Sequence, residues 1–271
     1  MILHDHTWPS RHLFDVRIDA LDTAQVLDAV DRAITERKRL LIGVVNAAKL
    51  VKMKADSALR RAVIGADLIL ADGMSIVWAC RILRRPLPER VAGIDLMMDM
   101  LALADKRRYR VYCLGAKQDV LDEVVERIRT DYPNAIVAGA RNGYFNEDEE
   151  AGIARQIADS KADMLFAAMT SPKKEMFLAR WSPIMQVPVC HGVGGAFDVM
   201  SGKVKRAPVA WQNCGMEWLY RVLQEPGRMW RRYLTTNSLF VWMLGREAAK
   251  SAGKTRAGSL GRKRAKSKAN W

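Results

Sequence analysis

Apolar residues along this chain follow two rhythms that take turns. Short apolar runs stand out at Leu40–Val45, broken only by Gly43, at Leu68–Ala71 and at Met164–Ala168. Runs of that length predict strands buried on both faces, as in a parallel sheet. Residues 13–20 alternate and predict a first strand; further strands are expected to end at Leu114, to cover residues 136–138, and to cover residues 187–190, ending at His191. Between them the period lengthens to that of a helix. Val26, Leu27, Val30 and Ile34 follow Thr23 as a cap, Ile76, Val77 and Cys80 follow Asp72, and helices are expected over residues 120–128 and 153–157 and from Ser171-Pro172 onward.

Strand and helix units joined by short connections predict an α/β fold, doubly wound and Rossmann-like with a mostly parallel sheet, over residues 1–202. From Trp211 the pattern is helical and rich in Trp, Met and Arg, which predicts a helical basic appendage over residues 203–245 and a disordered basic tail over 246–271. Charge sharpens this division. The chain of 271 residues carries +14, of which +8 lies from residue 246 onward and +5 in residues 203–232. A nearly neutral body with a cationic C-terminal quarter points to a localised anionic partner such as a membrane surface, a diphosphate or nucleic acid. Aromatic residues are not interleaved with the tail's charges as a stacking platform needs, so nucleic acid is disfavoured. Cys80, Cys113, Cys190 and Cys214 lie apart in apolar contexts, which predicts buried thiols and no structural metal. The N-terminus lacks an export signal, and the longest late apolar run, residues 239–244, is too short to span a bilayer. A cytoplasmic protein is expected.

Candidate chemistry gathers where strands are expected to end, since open α/β sheets bind ligands there. Asn46 and Asp72 are each either a helix cap or a crevice residue, the latter a base in the case of Asp72. Asp95 is a candidate cap and Arg90 a candidate anion contact. Gly115-Ala116-Lys117 makes a turn before a helix but lacks the later glycines of G-x-G-x-x-G, which disfavours a nicotinamide cofactor. Tyr144 and Phe145 either stack on a base or plug the core edge. Lys174, in the first turn of its helix, is either solvated or holds an anion, and Glu175 follows it. Residues 192–232 begin with Gly192, Gly194 and Gly195, close on Asp198, and continue through Lys203, Lys205 and Arg206 to Arg221, Arg228 and Arg231. Glycines admit an anion to the backbone and arginines hold it by paired hydrogen bonds, so a phosphate-bearing ligand is expected. The arginine spacing of seven then three keeps all three on one helix face.

The stretches ADGMSIVWA, ERVAGIDL, LGAK, GYF, SPKKE, GVGGAFDVMSGKVKRAP and GMEWLYRVLQEPGRMWRRYL resemble the WecG/TagA/CpsF glycosyltransferases over about residues 13–245. The resemblance implies transfer of a sugar from a UDP-sugar to a polyprenyl-diphosphate-linked saccharide, with inversion and no metal or other cofactor. It implies that Asp72 is the catalytic base, that Asn46, Tyr144, Glu175 and Asp198 line the nucleotide and sugar pocket, and that the arginine arm folds over the site. Two positions depart from the family pattern: Val44-Val45-Asn46 replaces Thr-x-Asn, and Pro172-Lys173-Lys174-Glu175 replaces Pro-x-Gln-Glu. Both fall in the expected sugar or acceptor pocket and lean the donor toward UDP-glucose, in exopolysaccharide or cell-surface glycan assembly, with N-acetylmannosamine as the alternative. The tail beside SLFVWML reads as an anchor to an anionic surface, the cytoplasmic face of the inner membrane. Whether the chain forms a homo-oligomer is left open.

Overall fold

A computed structural model describes residues 8–224, 227, 230 and 234–250. The described chain opens on a hairpin, β1 (Ser10–Leu13) and β2 (Val16–Asp19), which forms an antiparallel sheet of its own. The single strand expected over residues 13–20 is therefore two. Phe14 and Asp15 take φ of +52° and +60°, the left-handed pair required by a two-residue hairpin turn. Asp19 ties this hairpin to the main sheet, its buried carboxylate accepting from the Ile69 amide at 2.8 Å.

Helix α1 (Thr23–Thr35) is capped by Asp22, one residue before the expected Thr23. The Asp22 carboxylate accepts from the Gln25 amide at 2.8 Å, and the Gln25 side chain accepts from the Asp22 amide at 3.0 Å. This reciprocal box satisfies two orphan donors at once. Strands and helices then follow in order: β3 (Leu40–Val45), α2 (Ala47–Ala55), α3 (Ser57–Ile64), β4 (Leu68–Ala71), α4 (Met74–Ile82), α5 (Gly93–Arg107), β5 (Arg110–Gly115) and α6 (Gln118–Asp131). After them come β6 (Ile136–Arg141), α7 (Glu147–Asp159), β7 (Met164–Ala168), α8 (Lys173–Met185), β8 (Val189–Gly192) and α9 (Ala196–Met200). Strand β6 runs three residues beyond its expected end, and β8 starts two residues late and carries His191 inside it.

Strands β3 to β8 form one parallel sheet in the order β4-β3-β8-β7-β5-β6. The chain builds one side with β3 and β4, crosses to build the other with β5 and β6, and fills the middle with β7 and β8. Helices cover both faces over two apolar clusters, and β4, β7 and β8 are buried along their whole length. Each fully buried Leu, Ile or Phe there contributes about 1.5–3 kcal/mol, which is why unbroken apolar runs locate these strands.

The C-terminal part contributes α10 (Val209–Asn213), α11 (Glu217–Gln224) and a helical run over residues 234–250. That last run passes the expected start of the tail at residue 246, and residues 251–271 lie outside the described residues. It buries Phe240 and Met243, Phe240 meeting Phe14 edge to face at 5.5 Å, while Leu239, Val241 and Trp242 face outward. Among the described residues no helix is long and apolar enough to cross a membrane.

Candidate active site

The carboxyl ends of the parallel strands carry most of the candidate residues. Asn46 follows β3 and caps α2, its side chain accepting from the Lys49 amide at 3.0 Å. Asp72 follows β4 beside it. Val45 and Ala71 are register partners, and the Asp72 amide donates to the Val45 carbonyl at 2.8 Å, so the ladder fixes both residues at one level. Gly73 then turns the chain into α4 at φ +113°, a conformation open to glycine. Asp72 does not cap that helix: the N-cap is Gly73, with no side-chain bond. Among the described residues the Asp72 carboxylate has no hydrogen bond or ion pair. Its charge is felt by Lys174, His191 and Arg206.

Beneath this mouth lies a buried charge cluster. Lys49 from α2 and Lys174 from α8 both donate to Oε1 of Glu175, at 2.7 and 2.6 Å, with each of the three side chains less than a tenth exposed. Lys49 also donates to the Val44 carbonyl at 2.7 Å. Burial raises the Glu175 carboxyl, but the two ammonium groups outweigh it and bring it down to about 2. Burial and then Lys49 depress Lys174 to about 8, against the pull of Glu175 and Asp72. Lys174 is thus neither solvated nor waiting for an anion. Its stem crosses Gly192, where a Cβ would stand 3.2 Å from Lys174 Cε, so close approach explains that glycine. Lys49 escaped the sequence reading. Its position three residues after Asn46, on the inward side of the same helix, was the available signal.

His191 is wholly buried in β8, its Nε2 donating to the Gly93 carbonyl at 3.1 Å. Burial lowers it from 6.5 to about 4, with the Gly93 bond opposing only in part. The folded protein therefore holds His191 neutral at pH values where the unfolded chain takes up a proton. Stability should be full above pH 6.5, fall as the pH drops toward 4, and level off below, a loss of about 3 kcal/mol. Urea unfolding from pH 7 to pH 4 measures it, and His191→Gln should flatten that part of the slope. An unchanged slope would remove His191 as the source.

Arginines and acids interlock around the N-terminus of α5. Arg206 sets Nη2 on Asp95 Oδ2 at 2.6 Å and Nη1 on Asp95 Oδ1 at 2.5 Å. Arg90 reaches Asp95 at 3.6 Å and Glu217 of α11 at 3.0 Å. The expected cap role of Asp95 fails, for the N-cap of α5 is Ala92, with no side-chain cap bond. Gln224 of α11 donates to the Lys205 carbonyl at 3.1 Å, binding the arm to this segment, while the Lys205 side chain is exposed.

The other half of the edge is formed after β5 and β6. Gly115 at φ +135° passes so near Ala168 that a Cβ would meet its carbonyl oxygen, and Ala116 at φ +55° completes the turn. The Gly143 amide donates to the Ala116 carbonyl at 2.9 Å, and Tyr144 beyond it is 70% exposed. Phe145 is the plug, buried against Phe177 beneath the Lys173 ammonium. Lys203 pairs with Asp119 at 2.8 Å and lies in the field of Asp198 and Tyr144. Gly194, at φ +58°, and Gly195 lead into α9, which carries Asp198 in its first turn. The Arg221 side chain, Arg228 and Arg231 lie outside the described residues.

Residues 11–254 match the model of the glycosyl transferase WecG/TagA/CpsF family. The chain belongs to that family. The WecG/TagA/CpsF assignment makes it a glycosyltransferase and agrees with a parallel sheet whose carboxyl edge holds Asn46 and Asp72. Two relatives are each named N-acetylglucosaminyldiphosphoundecaprenol N-acetyl-beta-D-mannosaminyltransferase. The one from Bacillus spizizenii is 39% identical over 184 residues, 68% of this chain and 70% of the relative. The one from Bacillus subtilis is 36% identical over 185 residues, 68% of this chain and 71% of the relative.

Proposed function

We propose that this WecG/TagA/CpsF member transfers an N-acetylmannosamine-type sugar from a UDP donor to a polyprenyl-diphosphate-linked N-acetylglucosamine, inverting the anomeric centre. Asp72 takes the proton from the acceptor hydroxyl as that oxygen attacks the anomeric carbon and the UDP oxygen leaves with the bonding pair. The observation that carries this reading is a carboxylate free of hydrogen bonds and ion pairs among the described residues, held by the backbone ladder beside Asn46 at the sheet's carboxyl edge. Arg90 and Arg206 offset the charge that develops on the departing diphosphate. Tyr144 offers an exposed ring to the uracil, beside the Gly115-Ala116 turn.

The leaning toward glucose gives way to the N-acetylmannosamine alternative on two grounds. Both relatives are named for that sugar, and the Lys174 ammonium is turned onto Glu175, so it does not remake the pocket as its position in the sequence suggested. The outward Leu239, Val241 and Trp242 support docking of the last helix at the membrane that holds the acceptor, on its cytoplasmic face. Purified protein should be given vesicles bearing the lipid-linked acceptor and either UDP-N-acetylmannosamine or UDP-glucose. Lipid-linked disaccharide is expected with the first donor; product only with glucose would restore the other donor, and none with either would sink the reading.

A further inference from the structure

The two arginines at the mouth converge on a residue to which the chemistry above gives no part. Asp95 is the third residue of α5, yet its carboxylate caps nothing and accepts instead from both terminal nitrogens of Arg206, with Arg90 at 3.6 Å. A carboxylate meeting a guanidinium through two parallel hydrogen bonds fixes the plane of the fork as well as its place. With the Nη1–Nη2 side turned to Asp95, each terminal nitrogen keeps an outer N–H. Among the described residues Arg206 Nε is buried from solvent and has no hydrogen-bond partner, so the N–H groups within a ligand's reach are the outer ones on Nη1 and Nη2, on a side chain 28% exposed. Arg206 also lies within the field of Asp72. Arg90 is held by a hydrogen bond to Glu217 and an ion pair with Asp95, its side chain 15% exposed. Two cations and two carboxylates make a neutral cluster.

We infer that Asp95 is a positioning residue, which orients Arg206 and Arg90 so that their remaining N–H groups meet the charge appearing on the leaving diphosphate. The inference rests on the transferase reading and adds to it where the alignment of the arginines comes from. Geometry that matters in the transition state shows in kcat, whereas nucleotide affinity follows net charge. Asp95→Asn removes a negative charge and frees the fork, so kcat should fall roughly ten- to a hundredfold while UDP binds no more weakly than before.

Because Asp95 acts through Arg206, Arg206→Lys should lower kcat similarly, and the double variant should be no slower than the worse single one. Asp95→Glu, which keeps the charge and the fork, should recover much of the rate. The measurements are donor-saturation kinetics, UDP titration by calorimetry and melting temperature for each variant. Multiplicative losses in the double variant, a kcat within twofold of the parent, or a loss that tracks a lowered melting temperature would each overturn the inference. An inactive parent protein would indict the transferase reading instead.

Discussion

Replacing Asp72 by asparagine is expected to slow sugar transfer by about a thousandfold while leaving UDP affinity near that of the parent. A positioned general base contributes roughly 10²–10⁴ in rate, and asparagine matches aspartate in size while being unable to take the proton. The substitution isolates chemistry from folding because of where Asp72 sits. Its amide holds the ladder bond to Val45 and its side chain caps no helix, so the change removes no bond that the described fold uses. Single-turnover transfer with lipid-linked acceptor, together with UDP titration, is the decisive pair of measurements. Turnover within tenfold of the parent would remove Asp72 as the base. Equal losses in turnover and UDP affinity would make it a binding residue.

The largest effect on stability is expected from Glu175→Gln. One carboxylate oxygen serves two buried ammonium groups, so removing its charge leaves two unpaired cations in the floor of the site. Breaking a buried pair in this way costs about 3–5 kcal/mol. Lys174→Met should cost less, because Lys49 and Glu175 then remain a balanced pair. The low Glu175 value gives the same cluster an acid limit: its stabilisation is present above pH 4.5 and is lost as the pH falls toward 2. Urea unfolding of the parent and both variants at pH 7 tests the order, and a Lys174→Met protein less stable than Glu175→Gln would show that the cluster is not organised by its carboxylate.

Why some of this was legible in the sequence and some was not has a physical pattern. β3, β4 and β7 were readable to the residue because a strand buried on both faces must be apolar throughout. The opening hairpin was not, since its turn uses Phe14 and Asp15 in a conformation for which glycine or asparagine is the usual sign. Asp72 and Asp95 both precede or open helices and so imitate caps, and only the backbone geometry distinguishes a carboxylate that caps from one that reaches elsewhere. Strand ends placed Asn46, Asp72 and the Gly115 turn at the carboxyl edge of the sheet, where the fold has them. The partners of Arg90 and Arg206 were hidden for a different reason. Glu217 lies 127 residues from Arg90 and Asp95 lies 111 residues from Arg206, and spacing along a chain does not record contacts made by folding it back.

The edge-to-face contact between Phe14 and Phe240 bears on how the C-terminal part can be manipulated. The opening hairpin and the last helix share one apolar cluster, with Met243 beside them and Arg85 pairing with Glu247 at 3.7 Å. A truncation that ends before residue 240 would therefore strip a wall from the α/β domain along with the arm, and lost activity in it would say nothing about membranes. Shortening after residue 250 leaves that wall whole, and there the basic tail can be removed as a separate question.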